Sequence, residues 1–307
     1  MSTLTESPAA LRPADPETRR ARQGTVLMVA GGLLLGTLGV FVEQAGQDPL
    51  TTVWFRCAFG TLALLAWGAA TGRLHELRLR GRALAAAVAC GLLVAFNWTL
   101  FFAAIERTSI GIATVVVHVQ PLWLMAAGAL WFGEAVSRRQ VTLALLALAG
   151  LALATGLVDG GSAGAAHSAG YVWGVVACLG GSLSYAAVTL IAQRTRRASS
   201  FALAWWQCAV GAVLLAAWPL MHGLPAFGAA WGWLAGLGAL HTGLAYVLLY
   251  AGMARLPTAR VAILQFVYPA SALLVDWLVD GRALSGTQGA GVVLMGAALL
   301  AAKRESR

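Results

Sequence analysis

From residue 24 onward the chain alternates between apolar runs of about 20 residues and short polar or charged joints. A helix rising roughly 1.5 Å per residue needs about 20 residues to cross a hydrocarbon layer about 30 Å thick. The runs at 24–43, 50–70, 82–104, 109–132, 139–158, 170–192, 200–221, 229–253, 258–279 and 286–302 therefore predict an all-α membrane protein with ten transmembrane helices. The joints are too short for a separate soluble domain. Residues 1–23, MSTLTESPAALRPADPETRRARQ, are polar and proline-bearing, which predicts a disordered tail. The run that follows is too long for a signal-peptide core and is expected to stay as the first span.

Pro121 and Pro269 stand in the fourth and ninth runs, and the residues around them match without a gap at a fixed offset. Leu100, Ala103, Arg107, Val119, Gly133, Ser137 and Gln140 recur as Leu248, Ala251, Arg255, Val267, Gly281, Ser285 and Gln288. The chain therefore reads as a duplication: a first repeat over 24–158, a linker over 159–169, a second repeat over 170–302 and a tail over 303–307. Each copy holds five runs. Because five is odd, the second copy enters the membrane in the opposite sense, giving an inverted repeat. A proline in a helix removes one backbone bond and frees the carbonyl four residues earlier, here Val117 and Gln265. Hydrocarbon tolerates that only against protein or a watery cavity, so both prolines are expected at the middle of the bundle, as hinges.

Composition agrees with this reading: 59% of residues are apolar and 11% charged, and the mean hydropathy is +0.76. The formal charge of +9 points away from nucleic acid, because a basic footprint needs a soluble face. Most arginines fall in alternate joints, which by the positive-inside rule predicts cytoplasmic termini in a bacterial inner membrane. Cys57, Cys90, Cys178 and Cys208 all lie within apolar runs without CxxC spacing, so neither disulfides nor a metal site are expected. Lys303 is the single lysine, which excludes a Walker A lysine or Schiff base within the bundle. HExxH and paired-acid constellations are absent. An integral membrane enzyme is thus the competing class, and no cofactor is implied.

The two sets of five runs, with the block AAIERTSIGIATVVVHVQPLWLMAAGALWFGEAVSRRQ and its counterpart around Pro269, resemble the EamA-type branch of the drug/metabolite transporter (DMT) superfamily. Within it the chain is similar to YddG-type amino-acid exporters. The resemblance extends over the chain after residue 23. It implies a basket-like bundle whose central cavity is built from the first, third, fourth, sixth, eighth and ninth spans. It also implies export of amino acids, aromatic and other neutral ones included, or related metabolites by alternating access. Where the first repeat ends in Gly133 and Glu134, the second has Gly281 and Arg282, so an ionic role for Glu134 is not repeated.

His118 lies three residues before Pro121, near the expected midplane. An ionisable group there is either bonded to a neighbouring helix, in contact with substrate or coupled to protons. Gln265 and Tyr268 flank Pro269, and Gln120 is the repeat-mate of Tyr268. Amides and phenols suit a zwitterionic or polar neutral ligand, or else serve as glue between helices. Trp98 and Phe102, with repeat-mates Tyr246 and Tyr250, are aromatic pairs that are either gates or belt residues, and Asn97 beside Trp98 favours a cavity. Arg56 is expected to snorkel to the interface or to pair with Asp276 or Glu43, and His241 is a weaker cavity candidate. Gly32 with Gly36, and Gly232 with Gly236, have the spacing of close helix packing. A multidrug exporter of quaternary ammonium compounds is the alternative carrier, but it would want a midplane carboxylate. A monomer holding both halves needs no protein partner, only a small-molecule substrate and the lipid bilayer.

Overall fold

The computed structural model describes residues 15–156, 169–195, 197–280 and 285–304, and the described residues contain helices and no strands. The helices are α1 (Pro16–Ala45), α2 (Pro49–Ala70), α3 (Gly81–Ile105), α4 (Gly111–Phe132), α5 (Arg138–Ala154), α6 (Ala169–Arg194), α7 (Ser200–His222), α8 (Ala229–Met253), α9 (Thr258–Val279) and α10 (Gly286–Arg304). Eight of these, all but α5 and α10, are long and apolar enough to cross a membrane. α5 has 17 residues and α10 has 19. The expected tail over 1–23 is corrected in part: helix begins at Pro16, because proline suits a first helical position and Glu17 favours the positive helix start. Residues 1–14, the linker up to 168, Gly281, Arg282 and residues 305–307 lie outside the described residues.

Local sequence signals set the helix ends. Ser137 and Gln140 form a capping box, Gln140 N–H donating to Ser137 Oγ at 3.1 Å and Ser137 N–H to Gln140 Oε1 at 2.9 Å. Their repeat-mates Ser285 and Gln288 do the same at 3.1 and 3.0 Å. Arg107 and Arg255 also act alike, each folding back to the carbonyl four residues earlier, Ala103 at 2.7 Å and Ala251 at 2.5 Å. Asp48 caps α2 by accepting from the Leu50 and Thr51 N–H groups and from the Trp218 indole of α7.

Several helices are interrupted where the chain cannot complete its ladder. α4 breaks at His118–Val119 and α9 at Gln265–Phe266, each shortly before its proline. At these breaks tighter bonds replace α-helical ones: Val119 N–H donates to the Val116 carbonyl and Phe266 N–H to Ile263, both at 3.2 Å. α7 breaks at Leu215–Ala216 ahead of Pro219, and α8 widens to a π-helix over Leu237–Leu244.

A cleft of about 670 Å³ fixes the helix directions. Its lining comes from the start of α1 (Arg20), past the ends of α2 (Arg73) and α4 (Glu134), the end of α6 (Arg194) and the starts of α7 (Ser200) and α9 (Thr258). Met253 at the end of α8 lies there too. At this arginine-rich end α1, α7 and α9 therefore begin, whereas α2, α4, α6 and α8 finish. α1 packs on α8 and α9, and α6 on α3 and α4; α2 packs on α7 and α8, and α3 on α7; α5 packs on α10.

Glycine permits the closest of these approaches. A Cβ on Gly36 would lie 2.0 Å from Ser271 Oγ and 2.9 Å from its backbone, and one on Gly32 would lie 2.9 Å from Val267. Gly236 meets Phe41, but around Gly232 there is open space, so that glycine is not a packing residue. All four cysteines are free and buried.

Gly36→Ala is expected to lower stability by about 1–3 kcal/mol through overpacking. Gly232→Ala should be neutral or stabilising by up to about 1 kcal/mol from helix propensity. Thermal unfolding of the two variants in one detergent checks the contrast. Burial raises the Asp48 carboxyl, but bonds from Thr51, Leu50 and Trp218 outweigh it and hold its pKa below the ordinary value. The cap therefore stabilises fully above the unfolded range near pH 4 (about 3.9) and is lost as pH falls through the lowered value. Asp48→Ala should cost about 1 kcal/mol at neutral pH, and its deficit against wild type should shrink in acid melts.

Candidate functional site

The two proline breaks bring their neighbours together across α6. Gln120 Nε2 of α4 donates to Thr189 Oγ1 at 3.3 Å, and Gln265 Nε2 of α9 donates to the same hydroxyl at 3.2 Å. Gln120 is buried, and the Gln265 Oε1 acceptor is buried without a partner. An unmet acceptor at a helix break is available to a ligand N–H. Tyr185, Thr189 and Gln193 follow at spacings of four, so α6 presents one polar face inward. That stripe was legible in the sequence, and the expectations above missed it.

His118 Nδ1 lies 2.7 Å from the Thr114 carbonyl, which must accept. Nδ1 therefore carries the proton, and in the neutral ring Nε2 is left as an acceptor. The imidazole lies 6.1 Å from the Tyr268 ring and 6.4 Å from Phe266 of α9. His118, Tyr185 and Tyr268 lie deep among the helices yet keep intermediate exposure, so they face an internal space.

Arg56 corrects the expectation of snorkelling. Two turns into α2, its side chain is buried; Nε donates to Thr242 Oγ1 of α8 at 3.1 Å, and the guanidinium lies 5.2 Å from the Trp98 ring centroid. Among the described residues no carboxylate forms an ion pair with it; Glu43 is exposed, and Asp276 lies toward Gly39 and Tyr268. Tyr185, Tyr246 and Tyr268 are within its electrostatic reach. The helix phase of α2 turns position 56 toward α8, and single-chain polarity could not reveal that phase.

The remaining candidates divide. Tyr246 and Tyr250 are core residues rather than belt residues, 5% and 1% exposed, with rings 5.7 Å apart. Tyr250 donates its hydroxyl to Gln207 of α7 and forms part of the cleft wall, one turn from Tyr246. It therefore stands between the cleft and the internal space. Phe102 packs beside Phe101, near the far end of α3, away from this partition. Asn97 donates to the Gly181 carbonyl at 2.8 Å, tying α3 to α6, and His241 bonds Thr37 at 2.8 Å between α8 and α1. Both make contacts between helices.

Glu134 closes the arginine-rich end. Gly133 adopts φ 63°, which lets the chain turn back so that Glu134 N–H donates to the Gly128 carbonyl at 3.0 Å. Its carboxylate then accepts from Arg194 at 2.6 Å and from Thr258 Oγ1 and N–H at 2.7 and 3.0 Å. One carboxylate thus joins the ends of α4 and α6 to the positive start of α9. Gln193 and Arg20 meanwhile satisfy carbonyls at the end of α8.

The profile of the EamA-like transporter family matches residues 22–156 and 172–302. An "Uncharacterized transporter YxxF" of Bacillus subtilis (strain 168) is 27% identical over 304 residues, with 95% of this chain and 94% of that protein covered. An "Uncharacterized transporter" of Archaeoglobus fulgidus is 29% identical over 291 residues, with 94% of this chain and 98% of that protein covered. A solved crystal structure of 21% identity superposes with a TM-score of 0.80, covering 93% of this chain and 99% of that one, and is alike in fold.

Glu134→Gln should cost about 1–2 kcal/mol, because Arg194 loses its counter-charge and the α9 start loses an anionic acceptor. The double variant with Arg194→Gln should cost less than the sum of the two single changes. A double-mutant cycle by thermal unfolding in detergent checks this, and additive values would dissolve the coupling.

Proposed function

Since the chain belongs to the EamA-like transporter family, we propose that this membrane transporter exports amino acids, aromatic and other neutral ones included, or related metabolites. Alternating access between two opposed five-helix halves is the proposed mechanism. The observation that carries the reading is the convergence of two proline-broken helices on one neutral polar set: Gln120, Thr189, Gln265, His118 and Tyr268. Amides, an imidazole acceptor and a phenol can bond either end of a zwitterion without imposing a net charge.

The opposed halves have independent support. α1 begins at the arginine-rich end where its repeat-mate α6 finishes; α2 finishes where α7 begins; α4 finishes where α9 begins. Exchanging the halves also turns one set of packing partners into the other: α1 with α8 and α9 becomes α6 with α3 and α4. Two copies of one plan in opposite directions can trade conformations, which opens the chamber to either side in turn. By the positive-inside rule the arginine-rich end is cytoplasmic, as are both termini, in a bacterial inner membrane. The Glu134 junction and the Tyr250 partition then serve as cytoplasmic gates, with Phe102 toward the far mouth and Pro121 and Pro269 as hinges. Trp98 and Tyr246 complete the proposed substrate wall. A monomer suffices for the path. A quaternary-ammonium exporter is less well supported, because the buried charge beside this wall is the cation Arg56.

Counterflow into proteoliposomes against neutral amino acids, quaternary ammonium compounds and sugars tests the reading. Exchange of amino acids, and of aromatic ones most strongly, is expected; exchange confined to the ammonium compounds would refute it. His118→Ala should cut that exchange on the order of tenfold through loss of a buried acceptor. Proton coupling through His118 predicts that the remaining flux loses its pH dependence, whereas a contact role leaves the profile unchanged.

A further inference from the structure

Arg56 is a full positive charge held two turns inside a helix of a membrane protein, and the side chains placed directly against it, Thr242 and Trp98, are neutral. Thr242 takes the Nε–H, Trp98 offers its ring face, and three phenols stand within electrostatic reach. The terminal Nη groups make no hydrogen bond with the described residues, and the side chain keeps a small residual exposure. An uncompensated cation away from water costs several kcal/mol, and phenols or an indole offset only part of that. An anionic ligand group would offset that cost.

The stoichiometry narrows its class. One guanidinium balances one negative charge, so a monoanion fits and a dianionic phosphate would leave charge over. With Nε already engaged by Thr242, the free Nη edge offers parallel N–H donors to a planar carboxylate. The Trp98 indole lies against the guanidinium and the Tyr246 and Tyr268 phenols are within its electrostatic reach, so the body next to the carboxylate is apolar or aromatic. We infer that Arg56 is the carboxylate anchor of the chamber, and that ligands are selected as monocarboxylates with an apolar or aromatic body, the amine being secondary. This rests on the transport chamber proposed above and sharpens its substrate class: acids lacking an amine enter, and amides or esters of the same acids do not.

Ligand-induced thermal stabilisation of the purified full-length protein in detergent tests this with three probes: phenylalanine, 3-phenylpropionate and phenylalanine amide. Both acids are expected to stabilise wild type, and the amide to bind at least about tenfold more weakly, the value of one charge-assisted bond pair. Arg56→Gln should weaken both acids on the order of ten- to a hundredfold, and Arg56→Lys, which keeps the charge but not the fork, should fall between. The wild-type comparison of acid with amide stands even if Arg56→Gln fails to fold. Equal binding of amide and acid, acid binding unchanged in Arg56→Gln, or no binding of any probe would each overturn the anchor. Binding of 3-phenylpropionate without phenylalanine would retain the anchor and sink the amino-acid reading instead.

Discussion

Inside hydrocarbon every backbone N–H and C=O must find its partner within the protein, because there is no water to take the place of a lost bond. That constraint makes the described chain helical throughout and decides where it can depart from regular helix. Each departure in α4, α8 and α9 falls among the residues that carry polar chemistry: His118 at one break, Gln265 at another, His241 and Thr242 in the π-helix. A broken ladder and a polar side chain need the same environment, a protein-lined space away from lipid. The interruptions and the candidate site therefore coincide for one reason.

Lipid supplies no hydrophobic drive to hold helices against each other, so close packing has to do it. Gly32 and Gly36 admit α9 to the surface of α1, and Gly150 and Gly291 admit α10 to α5. Polar junctions then fix the ends. Glu134 gathers three helix termini on one carboxylate, and Gln193 takes up the last carbonyls of α8. These junctions are hydrogen-bonded and partly exposed, whereas the glycine seams rest on close backbone approach.

Arg56 sets the electrostatics of the interior. Its field reaches Tyr185, Tyr246 and Tyr268, which come from three different helices. A buried cation among phenols and amides biases the space toward anionic groups and against cations. The neutral acceptors near the breaks, Gln265 Oε1 and the second nitrogen of His118, provide the complementary function for N–H donors.

Much of this was legible along the chain. Apart from the start of α1, apolar runs gave the helices within a few residues, since run length and lipid thickness are linked by the helix rise alone. The matched prolines marked the breaks, and the Ser–x–x–Gln pairs marked two helix starts, because these are local rules of backbone bonding. Rotational phase was not legible: an apolar helix carries only a weak pattern to say which side meets lipid and which meets its neighbours. Tertiary packing alone turned Arg56 inward rather than toward the interface, assigned Asn97 and His241 to contacts between helices, and made Gly36 a close-packing residue where Gly232 has open space. Local bonding fixes where a helix starts, bends and stops; which face it buries depends on partners distant in sequence, and that only the folded bundle decides.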